Sequence, residues 1–167
     1  MTGTVVEPAA GPTDEVRRLV GELDAELSQH YPPEQRHGLT LDAIFAPHVR
    51  FFVARADGRP AGCGGVAFFD GFAEVKRMYV RPEARGRGVA DAILARLVTE
   101  VSAAGLPLLR LETGVQQQAA IRFYQRLGFT PCGAFEPYVS MPPHEVASSV
   151  FLEMPVPQKP TAPPRER

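Results

Sequence analysis

Apolar residues near the start of the chain recur at the spacing of a helix. Over residues 16–27 they return every three or four positions, which predicts a helix with one buried face. Pro32 ends this helix near residue 30, because proline has no amide proton to donate. The segment TGTVVE at residues 2–7 predicts a strand before it, and residues 41–45 predict a short second helix.

Two apolar stretches flank the dipeptide Asp57-Gly58 and predict a β-hairpin. They lie at residues 50–56 and 60–69, and Asp-Gly between two such stretches is a strong hairpin signal. Gly71 then turns the chain into a third strand. The second strand of the hairpin contains three glycines, which leave its backbone open to close packing: Gly62, Gly64 and Gly65.

The second half of the chain alternates between strand and helix patterns. The predicted elements are a strand at 74–81, a helix from 89, a strand at 106–113, a helix at 117–127, and strands at 129–135 and 148–154. This order predicts a single α/β domain with a mixed sheet over residues 1–154. Five prolines in residues 155–167 predict a disordered tail.

The composition describes one domain without a general attraction to polyanions. The 167 residues include 18 lysines and arginines against 19 aspartates and glutamates, which argues against nucleic acid or an anionic membrane as a partner. No apolar run reaches the roughly 18–20 residues of a membrane span, and no leader pattern is present. We therefore expect a cytoplasmic protein in which Cys63 and Cys132 are free thiols. We expect no metal, because the histidines and cysteines lack ligand spacing.

Residues 74–98 bring a strand, a basic glycine turn and an amphipathic helix together. A helix N-terminus offers unpaired amides and a partial positive charge. Gly86 and Gly88 remove side chains that would keep an anion off the backbone, and Arg85 and Arg87 add charge. The turn therefore predicts a diphosphate cradle. It is neither a P-loop, which needs Gly-Lys-Ser/Thr, nor a dinucleotide fingerprint, since Asp91 stands where the third glycine would be.

Two motifs resemble those of the GCN5-related N-acetyltransferases (GNAT). RPEARGRGVA, with Arg85, Gly88 and Ala90 spaced as Arg/Gln-x-x-Gly-x-Gly/Ala, is similar to their acyl-coenzyme A motif. Downstream, QQQAAIRFYQRLGF is similar to the family's Asn-x-x-Ala-x-x-x-Tyr helix, with Gln117 where the family often has asparagine. The resemblance covers roughly residues 50–154 and implies a mixed, centrally splayed sheet of about seven strands flanked by about four helices.

The resemblance also implies acetyl-coenzyme A as the acetyl donor. In the family, the pantetheine arm pairs with the backbone of the first of two splayed parallel strands, which also polarises the thioester carbonyl. The residues that would hold the donor come from this strand, the glycine turn and the two following helices: Met78, Tyr79, Val80, Arg85, Gly86, Arg87, Gly88, Val89, Ala90, Gln117, Ala120 and Phe123.

Tyr124 matches the family's tyrosine that protonates the departing coenzyme A thiolate. A phenol with a pKa near 10 suits this task, and packing as a core aromatic is its alternative role. An alkylamine is mostly protonated at neutral pH, so its attack on a thioester benefits from a base. Glu74 is the first candidate and Glu112 the second. The alternative role of Glu74 is to pair with Lys76 or a nearby arginine.

The acceptor side is predicted by position only, from the loops that line it in this fold. The candidates are Tyr31, Glu112 and Tyr138, with His30, His37 and His144 beside them. A small-molecule primary amine is the favoured acceptor, because nothing acidic enough to recruit a basic protein tail lies near these loops.

Several alternatives remain open from the sequence. A protein N-terminus or lysine could be the acceptor, and a homodimer could form, since family members often pair. The alternative from another class is a non-catalytic acyl-coenzyme A binding module. Thioester hydrolysis is weaker, because no Gly-x-Ser-x-Gly elbow occurs.

Overall fold

Seven strands form one mixed sheet in the computed structural model, which describes residues 3–158. The strands are Thr4–Pro8 (β1), Val49–Ala56 (β2), Arg59–Phe68 (β3), Ala73–Val80 (β4), Leu108–Gly114 (β5), Thr130–Pro131 (β6) and Ser149–Pro155 (β7). Their order across the sheet is β1-β2-β3-β4-β5-β7-β6. Only β4 and β5 are parallel, and the other neighbours pair antiparallel.

Helices cover both faces of this sheet. The α-helices among residues 3–158 are Asp14–Ser28 (α1), Val89–Ala103 (α2) and Gln118–Arg126 (α3). Phe51 and Val53 of β2 pack in one core with α1, whereas Phe52 and Ala54 pack in the other core with α2. Side chains alternate between the faces of a strand, so one strand serves both cores. Tyr124 places α3 on the same face as α2.

The predicted fold class is confirmed, but two elements are shorter than predicted. The short second helix expected at residues 41–45 is a single 3₁₀ turn, Ala43–Phe45, so three α-helices stand among residues 3–158 where about four were expected. So few residues before Pro47 cannot nucleate an α-helix. The strand expected at residues 129–135 has ladder pairs with β7 only at Thr130–Pro131, and the Cys132 amide donates to the Phe151 carbonyl at 3.0 Å. Pro131 has no amide proton to add to this short pairing, and β6 lies at the edge of the sheet, where proline is tolerated.

The packed part of the chain runs slightly past residue 154. Pro155 belongs to β7, and the buried Val156 donates its backbone N–H to the carbonyl of Pro107 at 2.9 Å. The remainder of the proline-rich segment, residues 159–167, lies outside the residues that the structure describes, so the expectation of disorder there stays a prediction.

The two parallel strands separate soon after they begin to pair. Their register joins only Ala73 with Leu109 and Glu74 with Arg110. Beyond Glu74, the backbone groups of β4 that face β5 therefore have no strand partner. This gap is the predicted central splay.

A β-bulge bends β4 just beyond the point of separation. Gly64 of β3 lies opposite two residues of β4, Arg77 and Met78, instead of one. Arg77 has a positive φ of 55°, as a bulge residue can. Its guanidinium donates to Asp24 of α1 at 2.7 Å and to the Leu39 carbonyl at 2.8 Å, so it ties α1 and the following loop to the sheet.

The glycines of β3 allow α2 to approach the sheet closely, as predicted. A Cβ on Gly64 would lie 2.7 Å from Cγ2 of Ile93 on α2. One on Gly62 would lie 2.5 Å from the Tyr79 carbonyl oxygen. Both distances are shorter than real Cβ atoms show, so no side chain fits at either position.

Three further observations concern the classes of site considered from the sequence. No helix among residues 3–158 is both long and apolar enough to cross a membrane. No group of three or more His, Cys, Asp or Glu side chains in this range could hold a metal ion. Cys63 and Cys132 are free thiols, and burial raises the pKa of Cys63 to about 12. Cys63 is therefore a core residue and not a nucleophile.

Candidate active site

Backbone amides at the start of α2 form the predicted cradle. Gly86 (φ 75°) and Gly88 (φ 80°) both adopt the left-handed conformation that glycine tolerates. Apart from each glycine and its two chain neighbours, no heavy atom of residues 3–158 lies within 4 Å of the position that a Cβ would take on either glycine, so the space above the turn is open. The first amides of an α-helix have no partner inside the helix, and here they are available to an anion.

A cavity of about 650 Å³ lies between this turn, β4 and α3. Its volume falls within the usual range of cofactor and small-molecule sites. Every residue proposed from the sequence to hold the acyl donor lines this cavity except Arg87. Arg87 instead pairs with Asp57 in the turn between β2 and β3, with 3.2 Å between Nη2 and Oδ2.

Acidic residues of α1 neutralise much of the basic cluster around the cradle. The ion pairs are Arg77 with Asp24 (2.7 Å), Arg81 with Glu22 (3.0 Å) and Arg85 with Glu26 (2.8 Å). Of these, Arg85 and Glu26 line the large cavity, and their side chains are 48% and 36% exposed. Such an exposed pair contributes little stability, so Arg85 can exchange Glu26 for a ligand at small cost.

A second cavity, of about 140 Å³, lies where β4 and β5 separate. It is lined by the first half of β4, the end of β5 and the loop after α1. Five residues line both cavities: Leu23, Met78, Gln117, Ala120 and Tyr124. The two cavities therefore meet beside the bulge of β4.

Glu74 is buried in the wall of the small cavity, with 1% of its surface exposed. Its Oε2 accepts a hydrogen bond from the Tyr138 hydroxyl and lies 3.0 Å from Nζ of Lys76. Lys76 Nζ also donates to the Tyr138 oxygen at 2.9 Å. Oε1 of Glu74 has no hydrogen-bond partner among residues 3–158. Glu74 thus pairs with Lys76, which was the alternative role considered for it, and its second oxygen remains available to a ligand.

The three residues proposed for the acceptor side all line the small cavity. Burial raises the pKa of Tyr138, which is held between Glu74 and Lys76. Burial also raises the pKa of Glu112, and the hydrogen bond that its Oε2 accepts from Ser149 at 2.6 Å opposes the rise. The Tyr31 oxygen accepts the amide proton of Gln116 at 2.9 Å, which fixes the loop after α1 to the turn before α3.

Of the histidines considered for the acceptor side, His37 lines the small cavity. Its Nε2 donates to the Glu145 carbonyl at 2.8 Å, which joins the loop after α1 to the loop before β7. His30 is exposed and lines the large cavity, and His144 lines neither.

Tyr124 is buried on α3 at the junction of the two cavities. Its ring packs against Phe123 and Phe129, with centroids 5.3 and 5.5 Å away. No hydrogen bond joins its hydroxyl to another of the residues that the structure describes. Burial raises its pKa, so the hydroxyl stays protonated at neutral pH. Tyr124 is therefore both a core aromatic and an available proton donor.

Lys76 and Arg36 line the small cavity but were not proposed as site residues from the sequence. Lys76 follows Glu74 by two positions on β4, and this spacing, which places both on one face of a strand, was the signal for it. Arg36 lies in the loop after α1, where no periodic pattern exists to place a side chain. Its Nε is buried and has no hydrogen-bond partner.

Comparison with known proteins gives a consistent result. The sequence model of the acetyltransferase (GNAT) family matches residues 15–129. The chain is 43% identical to a protein named IAA acetyltransferase from Azospirillum brasilense, over 86% of this chain and 92% of that one. It is 32% identical to YedL of Escherichia coli, an uncharacterised N-acetyltransferase, over 82% of this chain and 87% of that one.

Solved structures share the fold over most of the chain. A Klebsiella pneumoniae protein, provisionally assigned as an acyl-CoA N-acyltransferase, has a TM-score of 0.72 and 32% identity, and the match covers 92% of this chain and 97% of that one. A GNAT-family acetyltransferase from Staphylococcus aureus has a TM-score of 0.75 at 16% identity, covering 93% of this chain and 100% of that one. The second likeness concerns the fold alone.

Proposed function

Because the chain belongs to the GNAT family of acetyltransferases, we propose that it transfers the acetyl group of acetyl-coenzyme A to the primary amine of a small molecule. The observation that carries this proposal is the junction of the two cavities beside the bulge of β4. One cavity has the volume and the free amides for a large anionic donor. The other has space for a small acceptor next to buried acid–base groups.

The large cavity fits a diphosphate-bearing thioester. The glycine turn and the first amides of α2 would bind the diphosphate. Beyond Glu74, β4 has no strand partner on its β5 side, so its backbone at Met78 to Val80 would pair with the amides of a pantetheine arm. When bound, the donor supplies an acetyl group activated as a thioester.

The small cavity favours a small acceptor over a protein segment. Its volume of about 140 Å³ is below the 300–1,000 Å³ that is typical of drug-sized ligand sites. The relative from Azospirillum brasilense is itself named for acetylation of IAA. Together these observations support a small-molecule amine before a protein N-terminus or a lysine.

The proposed chemistry uses Tyr124, which lines both cavities, and Glu74, which lines the small one. Glu74 Oε1 takes one proton from the ammonium form of the acceptor and leaves a neutral amine. The amine nitrogen then bonds to the carbonyl carbon of the acetyl group, and the carbon–sulfur bond breaks. Tyr124 donates its proton to the leaving sulfur and regains one from the acylated nitrogen. Positioned acids and bases of this kind contribute about 10²–10⁴-fold each.

A calorimetric titration with acetyl-coenzyme A, followed by an assay of coenzyme A release with a panel of primary amines, tests the proposal. We expect micromolar binding by the wild-type protein and release with small amines. Gly88→Glu places a carboxylate in the cradle and should abolish binding.

Gly105→Glu is the matched control. Gly105 has a similar φ of 74° and open space around it, but it lies beyond the opposite end of α2. It should fold with a similar cost in stability and bind normally. Failure of the wild-type protein to bind acetyl-coenzyme A would contradict the proposal. Binding without release by any amine would support the non-catalytic binding module instead.

A further inference from the structure

Among residues 3–158, two buried side-chain polar atoms have no hydrogen-bond partner, and both belong to residues that line the small cavity. They are Oε1 of Glu74 and Nε of Arg36. Buried polar groups in folded proteins are nearly always paired. Two such exceptions in the wall of one cavity point to a ligand that pairs with both.

The two atoms require opposite kinds of hydrogen-bond partner, one a donor and the other an acceptor. A carboxylate oxygen only accepts hydrogen bonds, so Glu74 Oε1 needs a donor. A guanidinium only donates, so Arg36 Nε needs an acceptor. The ligand must therefore present a donor such as an amine at one end and an acceptor at the other.

The charges in the cavity wall decide which acceptor fits Arg36. Lys76 is already compensated by Glu74 at 3.0 Å, and Arg77 by Asp24 at 2.7 Å. Arg36 has no ion pair or side-chain hydrogen bond with the part of the chain that the structure describes. It is the uncompensated cation of the small cavity. A carboxylate matches it in charge and in the planar, bidentate geometry of its N–H groups.

We propose that the acceptor is a small amino acid or a similar molecule that carries a primary amine and a carboxylate. The amine binds to Glu74 Oε1, where the reaction needs it, and the carboxylate binds to the guanidinium of Arg36. The small volume of the cavity limits the molecule to a few heavy atoms between the two groups. This inference rests on the proposed function, because it assigns the acceptor of the same site.

The test compares amines that differ only in the carboxylate. Coenzyme A release is measured with glycine, β-alanine and 4-aminobutanoate, each beside its carboxamide, which keeps the amine and the size but removes the charge. We expect kcat/KM for at least one acid to exceed that for its carboxamide at least about tenfold, since a site built around a polar group rejects analogues that lack it.

Variants at Arg36 identify the group responsible. In Arg36→Met the ratio of acid to carboxamide should fall at least about tenfold from its wild-type value, because the partner of the carboxylate is gone. The ratio of acid to carboxamide in Arg36→Met also measures how much the two amines differ in reactivity without a partner for the carboxylate, and the wild-type ratio is compared with it. Arg36→Lys should retain part of the preference, since it keeps the charge but not the planar donors. Arg18→Met is the control, because Arg18 is exposed on α1 and lines neither cavity.

Binding without turnover gives a second measurement. Protein saturated with coenzyme A is titrated calorimetrically with the same acids, which should bind to wild-type protein and not to Arg36→Met of equal thermal stability. Equal use of acids and carboxamides by wild-type protein would overturn the inference and leave the proposed function intact. An unchanged ratio in Arg36→Met would also overturn it. Loss of acetyl-coenzyme A binding and of all amine acetylation would instead overturn the proposed function.

Discussion

Tyr124 shows how burial can prepare a single residue for proton donation. Tyr124 lines both cavities, and burial raises the pKa of its hydroxyl. Since a raised pKa extends the protonated form to higher pH, the hydroxyl remains a donor throughout the range in which an amine becomes neutral. The same apolar surroundings raise the pKa of a departing thiolate, so the two groups stay matched.

We expect Tyr124→Phe to lower kcat about 10²-fold, because the sulfur loses its proton donor. The KM for acetyl-coenzyme A should change little, since the ring and its packing remain. Thermal stability should also be retained, because the hydroxyl makes no hydrogen bond with the described residues. Steady-state kinetics and a melting curve measure these quantities, and an unchanged kcat would remove Tyr124 from the mechanism.

Glu74→Gln is the complementary variant at the other side of the reaction. It keeps the size of the side chain and can still accept from Tyr138, but it cannot take a proton from the acceptor. It should therefore lower kcat as well, while acetyl-coenzyme A binding, which involves the other cavity, stays unchanged in the titration.

Single residues also show where prediction from the sequence ends. Glu74, Tyr124 and Tyr138 could be proposed because a motif or a strand position indicated them. Arg36 could not, because its importance comes from the absence of a partner in the folded chain. The compensation of Arg85 by Glu26 was likewise invisible, since 59 positions separate the two residues.

At the scale of elements, β4 depends on a residue in an uncommon conformation. Arg77 forms the bulge with a φ of 55°, which costs an L-residue other than glycine roughly 1–2 kcal/mol. Its side chain is 7% exposed, and its guanidinium donates to Asp24 and to the Leu39 carbonyl. These contacts offset the backbone strain and hold the bulge where the two cavities meet.

We expect Arg77→Gly to be more stable than Arg77→Ala by about 0.5–1 kcal/mol in the free energy of unfolding. Both variants lose the side-chain contacts, but only glycine relieves the positive φ. At Arg50 on β2, which has no positive φ, the order should reverse, because glycine weakens an ordinary strand. Urea denaturation of the four variants measures both differences. If the alanine variant were the more stable one at both positions, the bulge would not be strained.

The order of helices and strands could be predicted from apolar periodicity, because each segment contains its own pattern. The bulge could not be predicted, because it depends on the register between Gly64 and its neighbours on β4. The length of the sixth strand was overestimated for a related reason. How far it pairs beyond Thr130 and Pro131 depends on its register with β7, which its own residues do not encode.

At the scale of the whole molecule, the near-zero net charge conceals a separation of charges. The formal charge is −1, yet α1 sets Glu22, Asp24 and Glu26 opposite the arginines of β4 and the cradle. Glu26 lines the large cavity and pairs with Arg85, so under the proposed function it would repel the diphosphate of the donor and compete with it for Arg85. The glycine turn would thus stay close to neutral until the donor takes the place of this carboxylate beside Arg85.

We expect Glu26→Gln to tighten acetyl-coenzyme A binding about two- to fivefold, because it removes a like charge and frees Arg85. The gain should shrink at high salt, since the groups are partly exposed and therefore screened. Glu22→Gln is the control, because Glu22 pairs with Arg81 and lines neither cavity. Calorimetry at two salt concentrations measures the effect. Unchanged or weaker binding in Glu26→Gln would show that the carboxylate does not compete.

The overall architecture was predictable from the sequence, whereas the contact between the two loops beside the small cavity was not. A repeated apolar period indicated the mixed sheet, and the two motifs indicated its splay. The loops after α1 and before β7 meet through His37 and Glu145 and through Gln35 and His144. More than 100 positions separate these partners, and neither loop has a period from which to infer its course.

The two glycines of β3 that admit no side chain, Gly62 and Gly64, constrain how this protein can evolve. Gly62 and Gly64 line neither cavity and carry no reactive group, yet a single methyl group would collide with the Tyr79 carbonyl at Gly62 and with Ile93 at Gly64. At Gly64 it would push α2, and with it the glycine turn, away from β3, and at Gly62 it would push β4, which receives the thioester under the proposed function, away from β3. Selection on catalysis should therefore hold these two silent positions as firmly as the residues that act on the substrate, while the acceptor loops remain free to diverge.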